Sequence, residues 1–277
     1  MRYQKRFWSW IRTAFSRWMH HDVPSLSAAL SYYTCFSLAP LLLLIIAVMG
    51  LVFGRDAAQG QIFEQLSGLI GPRSAGMVQT MIASAWHPAK GIIATLISLV
   101  TLLVGAFGVV SELKSGLNRI MKAKEPTGLE HMLKERAKYL GFILGIGFLL
   151  LVSLVISAAL AAISEFFSQV LPFPKVILQT LDLVLSLGVI TLLFAMMFRF
   201  LPNIRLPWRA IRIGSFFTAV CFTIGKFALG YYLGRGSVAS SYGAAGSVLI
   251  ILLWMYYSAL ILYFGAEFTK VYTESTT

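Results

Sequence analysis

The sequence predicts an all-α, polytopic membrane protein with six transmembrane helices, both termini on the cytoplasmic side, an N-terminal interfacial helix and short extracytoplasmic amphipathic helices. Three observations carry that expectation. The 277 residues are 58% hydrophobic and only 12% charged, about half the charge of an average soluble domain. The charges are also segregated, leaving uncharged stretches over Val23–Gly54, Gly91–Ser111, Tyr139–Ser164 and Gly236–Ala266, which are 32, 21, 26 and 31 residues long. A helix of about 20 apolar residues crosses a bilayer. Runs such as Leu41–Met49 and Phe148–Ile156 do not alternate apolar with polar positions, so the strands of an outer-membrane barrel are excluded.

Residues 1–22 read as a cytoplasmic interfacial amphipathic helix. Phe7, Trp8, Ile11, Ala14, Phe15 and Trp18 recur at helical spacing, while Lys5, Arg6, Arg12 and Arg17 fall largely elsewhere around the helix. That pattern puts indoles at headgroup level and basic groups against anionic lipid. The Asp22-Val23-Pro24-Ser25 break then turns the chain into the membrane. An uncleaved first span is expected, because the aromatic start is too long for a signal-peptide n-region and the apolar run continues to Phe53.

The remainder, 23–277, is expected to form a single six-helix membrane domain with spans near 30–54, 91–112, 139–164, 176–199, 212–234 and 245–268. The connection 55–90 carries two short apolar stripes, Ile62, Phe63, Leu66, Leu69, Ile70 and then Met77, Val78, Met81, Ile82, Ala85, separated by Gly71-Pro72. Two short extracytoplasmic helices fit, lying flat on the membrane or lidding the bundle. In the third span Gly141 and Gly145, followed by Ser157, Ala158, Ala161 and Ala162, supply a small-residue face. Small residues let helix backbones approach closely in lipid, here inside the protomer, with a homo-oligomer seam as the alternative.

Lys and Arg set the orientation. Seventeen lie in the N-terminal segment, the second and fourth connections and the C-terminal tail, against 5 in the opposite connections, with Lys226 inside a span. By the positive-inside rule both ends are cytoplasmic. The bias also accounts for the net charge of +12 through basic loops beside anionic lipid, without a nucleic-acid partner. Cys35 and Cys221 lie within spans and form neither a disulfide framework nor a metal-ligand pair.

The segment Ala28-Ala29-Leu30-Ser31-Tyr32-Tyr33-Thr34-Cys35-Phe36-Ser37-Leu38-Ala39-Pro40 is unusually polar for the opening of a span. It resembles the signature of the YihY/BrkB family of bacterial inner-membrane proteins, formerly labelled ribonuclease BN. Two further blocks match in order: Gly105-Ala106-Phe107-Gly108 with Glu112-Leu113 and Leu117-Asn118-Arg119-Ile120, then Tyr242-Gly243-Ala244-Ala245-Gly246-Ser247 with Trp254, Tyr256-Tyr257 and Gly265-Ala266-Glu267. The resemblance covers nearly the whole chain. It implies a six-helix fold in the bacterial inner membrane, while the family's nuclease label, virulence-linked name and suggested transport role point to different activities.

Hydrolysis of RNA would need a metal cluster or paired acid and base groups on a water-exposed domain. The histidines, His20, His21, His87 and His131, are scattered, and no HExxH, paired CxxC or Walker motif occurs. No catalytic residue, metal site or cofactor is therefore expected, and an intrinsic ribonuclease is disfavoured. Intramembrane polar groups say more, since a charge in lipid is costly and faces a cavity or partner. Lys226 and Asp182 lie roughly 12 Å and 9 Å from the outer ends of their spans at 1.5 Å per residue. An ion pair between them is the preferred pairing, either as a static tie or as a working site. A second set, Tyr32, Tyr33, Ser37, Glu112, Asn118 and Glu267, gathers toward the cytoplasmic side, beside Pro40, whose ring can kink the first span. The alternative is an aromatic belt with charged helix ends. The Gly- and Ser-rich stretch containing Gly243 and Gly246 is a candidate hinge or cavity-lining loop, or a flexible turn. A transporter or permease-like protein for an ion or an amphipathic, lipid-related substrate is expected; the alternative is a non-catalytic envelope scaffold or assembly factor.

Overall fold

The computed structural model describes residues 2–37, 92–123, 174–234 and 246–276, with scattered positions between 60 and 79 and between 137 and 152. Every regular element among them is helical: α1 (Arg2–His20), α2 (residues 23–37), α3 (Ile92–Met121), α4 (Pro174–Phe200), α5 (Trp208–Gly234) and α6 (Gly246–Thr276). Among the described residues three stretches, Leu183–Phe200, Trp208–Leu229 and Val248–Thr276, are long and apolar enough to cross a membrane. The two stripes expected within 55–90 and most of the third expected span lie outside the described residues apart from isolated helical positions, as do Pro40 and Gly243. Gly246 opens α6.

The expected break after α1 is a tight corner. The N–H groups of His21 and Asp22 donate to the Arg17 and Met19 carbonyls at 2.8 and 3.2 Å, and Asp22 takes φ 53°. Asp tolerates this left-handed conformation better than most residues. Its carbonyl then accepts the Ser25 and Leu26 N–H groups at 3.1 and 3.2 Å, starting α2 at once, with Pro24 in the first turn, where its missing N–H is not needed.

In α5 the usual distribution of side chains is reversed. Ile213, Phe216, Ile224, Phe227 and Tyr231 form an exposed stripe at helical spacing, while Gly214, Ser215, Thr218, Ala219 and Gly225 are buried. Large apolar groups outward and small groups inward suit a helix solvated by lipid, where close backbone approach drives pairing. α3 instead runs ten residues past its uncharged stretch because its end is amphipathic. Leu113, Leu117, Ile120 and Met121 are buried and Ser111, Ser115, Arg119 and Lys122 share the exposed face.

The chain divides into two compact units. In the unit made of Met1–Ser16, Leu117–Thr223 and Phe264–Thr277, α5 and α6 cross through a repeated pentapeptide, Gly214-Ser-Phe-Phe-Thr218 and Gly265-Ala-Glu-Phe-Thr269. A side chain at Gly214 would meet Thr269, and one at Gly265 would meet Thr218. This reciprocity makes the crossing antiparallel. Each threonine hydroxyl donates to its own helix's glycine carbonyl, Thr218 to Gly214 at 2.6 Å and Thr269 to Gly265 at 2.7 Å. No hydroxyl is stranded in the dry contact. Phe217 and Phe268, from the same two pentapeptides, stack with centroids 4.1 Å apart.

The start of α1 joins this unit. Ala14 is fully buried with Phe268 and Val271, and Trp10 and Ile11 pack around them. Phe7 meets the Phe217 and Phe268 rings edge-on, and Trp10 meets Tyr272 at 5.0 Å. The apolar stripe read from the sequence thus splits. Part of it packs on α5 and α6, while Trp8 and Phe15 stay 70% and 55% exposed. In the same unit Gly145 uses its small size, with Met196 Cε 3.3 Å from where a Cβ would sit.

Candidate functional site: a polar seam on α3

The second unit, Arg17–Gly116 with Ile224–Tyr263, brings several sequence-predicted residues together. Gly105, Gly108, Glu112 and Gly116 fall at spacings of three and four, so they form one face of α3. A Cβ at Gly105 would lie 3.3 Å from Ser37 Cβ, and one at Gly108 would lie 3.9 Å from Tyr33 Cδ1. α2 therefore lays Ser37 and Tyr33 along the glycine face. At the next turn stands Glu112, half-buried. One turn further, the Tyr263 ring of α6 fills the notch at Gly116, where a Cβ would come within 2.6 Å of Cζ.

Tyr263 is fully buried, and among the described residues its hydroxyl meets no hydrogen-bond partner. Glu112 is near enough to act on it electrostatically. A buried hydroxyl that meets no partner is costly unless water, a proton or a ligand completes the arrangement. Sequence reasoning missed Tyr263. It sits in an apolar run, and its signal was the glycine four residues beyond Glu112, a notch matched to an aromatic ring.

Three other hydroxyls of α2 are satisfied locally: Ser31, Thr34 and Ser37 donate to the carbonyls of Ala28, Leu30 and Thr34 at 2.8, 2.7 and 3.1 Å, which lowers the cost of a polar sequence entering a membrane. The buried Ser27 hydroxyl meets no partner among the described residues. Tyr32 lies away from the seam. It is 58% exposed and its ring packs on Phe36 at 4.7 Å. Lys226 is half-buried with its ammonium 5.8 Å from the Phe227 ring, and Tyr257 closes on the neighbouring Gly225. The side chain of Asp182 lies outside the described residues, and with it the expected ion pair.

Asn118 and Glu267 belong to the first unit and are both buried. Asn118 is structural in part: its Oδ1 accepts the Asn203 N–H at 2.9 Å, tying the turn after α4 to the end of α3. Arg199 steadies the same turn, donating to the Leu206 carbonyl at 2.9 Å and covering Trp208 at 5.0 Å. Lys270, one turn after Glu267 on α6, donates to the Ile120 carbonyl at 3.1 Å. A cation at the negative end of α3 is favourable. Among the described residues no three His, Cys, Asp or Glu side chains gather as a metal site.

Comparison with known proteins agrees with the membrane reading. The profile of the Virulence factor BrkB family matches residues 14–277. A UPF0761 membrane protein of Pseudomonas paraeruginosa is 28% identical over 261 residues, covering 91% of this chain and 61% of the relative. One from Tolumonas auensis is 27% identical over 275 residues, covering 94% and 84%, and one from Ralstonia nicotianae 28% over 263 residues, covering 92% and 56%. The chain thus spans about six-tenths of the length of the Pseudomonas relative. No solved structure matches.

Proposed function

We propose, from the premise that the chain belongs to the Virulence factor BrkB family of membrane proteins, that it passes an ion or an amphipathic, lipid-related substrate along the glycine face of α3. In this reading it is a multi-pass transporter or permease-like protein of the bacterial inner membrane, with no enzymatic activity of its own. One observation carries it: a half-buried carboxylate, Glu112, acts on the buried Tyr263 hydroxyl, which meets no partner among the described residues, on a face where Gly105 and Gly108 bring the polar α2 residues Ser37 and Tyr33 close. A static packing face gains nothing from an acidic group that lipid penalises. A hydrated path does.

The test uses the full chain in proteoliposomes, with potassium and proton flux and the transbilayer movement of fluorescent phosphatidylglycerol as readouts. Glu112→Gln should lower flux at least about tenfold while protein remains folded, the size expected when a charged contact of about 1.4 kcal/mol is lost, and Gly108→Leu, which fills the face, should lower it as well. No flux above protein-free vesicles, or unchanged flux in both variants, rejects the reading. The scaffold alternative would then stand, favoured by the hydroxyls that α2 satisfies internally.

A further inference from the structure

Independently of what is transported, we propose that the end of α3 and the start of α5 form a binding site for the phosphate headgroup of an anionic phospholipid. Arg119 and Lys122 are exposed at the end of α3, and Arg205, Arg209 and Arg212 are exposed around the entry to α5. Both elements lie in the same unit, and the bond from the Asn203 N–H to Asn118 Oδ1 holds the turn carrying Arg205 against α3. Five exposed cations therefore lie within nine residues in the chain of the two ends of this bond.

Three features of this joint are unfavourable for the isolated protein; an anion offsets the first and the third, and the second fixes a cation in place at the cost of backbone strain. First, Arg209 and Arg212 stand in the opening turn of α5, which holds no acidic residue. This is the positive end of the helix dipole, where cations destabilise and anions stabilise. Pro207 O already accepts the Ala210 and Ile211 N–H groups at 3.0 and 3.2 Å, so helix geometry leaves the Trp208 and Arg209 N–H groups without an intrahelical acceptor.

Second, α3 ends in a Schellman turn. The Ala123 N–H donates to the Asn118 carbonyl at 2.9 Å and the Lys122 N–H to Arg119 at 3.3 Å, with Lys122 at φ 53°. That position favours glycine, and a lysine there is strained. Third, Asn118 is 2% exposed, and while its oxygen is engaged, its Nδ2 meets no acceptor among the described residues. Its amide, anchored on the same turn through Oδ1, thus keeps a donor with which an anionic oxygen would pair. Trp208, 56% exposed beside Arg209, suits the interface between headgroup and acyl chain. That apolar neighbour favours a lipid over a free anion.

The full chain in a neutral detergent, titrated with short-chain phosphatidylglycerol, phosphatidylcholine or inorganic phosphate and read by native mass spectrometry, tests the site. Phosphatidylglycerol should be retained at least about tenfold over phosphatidylcholine, since each basic residue near an anionic headgroup contributes roughly fivefold. Arg209→Gln with Arg212→Gln should abolish that preference. Lys122→Gly should weaken it while leaving the melting temperature unchanged or higher, because glycine relieves the left-handed turn; this variant keeps the test decisive should the arginine pair fail to fold. Equal retention of the two lipids, a preference that survives both variants, or phosphate binding as tightly as phosphatidylglycerol would each overturn the proposal.

Discussion

At Gly116 a missing side chain admits Tyr263, and the two positions predict opposite responses to small changes. Alanine at Gly116 gains up to about 1 kcal/mol of helix propensity, but its Cβ would press into a buried ring, and overpacking of that kind costs about 1–3 kcal/mol. The clash wins, so Gly116→Ala should lower the melting temperature in detergent. Tyr263→Phe removes a buried hydroxyl that has no partner among the described residues and should leave stability equal or higher, since a stranded polar group costs about 1–3 kcal/mol. If that hydroxyl serves the path beside Glu112, flux falls in Tyr263→Phe even as stability holds. Lys270 makes the reverse case. Its charge caps the carbonyl end of α3, so Lys270→Met should cost about 1–2 kcal/mol despite the gain in hydrophobicity, measured by thermal denaturation in detergent.

Among the elements, the crossing of α5 and α6 has the most direct test. Because Gly214 faces Thr269 and Gly265 faces Thr218, Gly214→Ala should destabilise by about 1–3 kcal/mol, and Thr269→Ala added to it should recover part of the loss by opening the space again. Simple additivity of the two losses would show that the helices do not cross at this point. The repeat Gly-x-x-Phe-Thr was present in the sequence at 214–218 and 265–269, but two short matches 51 residues apart in the sequence acquire meaning only when the helices run antiparallel. α1 divides in the same physical way. Trp10→Ala, which strips the ring packed on Tyr272, should lower the melting temperature more than Trp8→Ala, whose indole is 70% exposed. Periodicity placed Trp8 on the apolar face and passed over Trp10, and it could not say which part of α1 meets protein.

For the whole chain, the charge bias of 17 to 5 predicts that reporter fusions after Thr277 and near Gly60 report opposite sides of the membrane, with the C-terminus cytoplasmic; a C-terminal reporter active outside would overturn that topology. The helical class and the apolar lengths of α4, α5 and α6 were legible from the sequence, because lipid requires every backbone group of a span to bond within its own helix. That requirement leaves a local signature, a long uncharged run, which one chain reveals by itself. The face shared by Gly105, Gly108, Glu112 and Gly116 was partly legible, since helical spacing places those residues together and Ser37 and Tyr33 stood out as polar. Which ring fills the Gly116 notch, which threonine closes on which glycine, and that Lys270 caps α3 instead of trailing in a tail were decided by tertiary structure alone. Each depends on residues far apart in the chain meeting in space, and neither hydropathy nor periodicity encodes a partner.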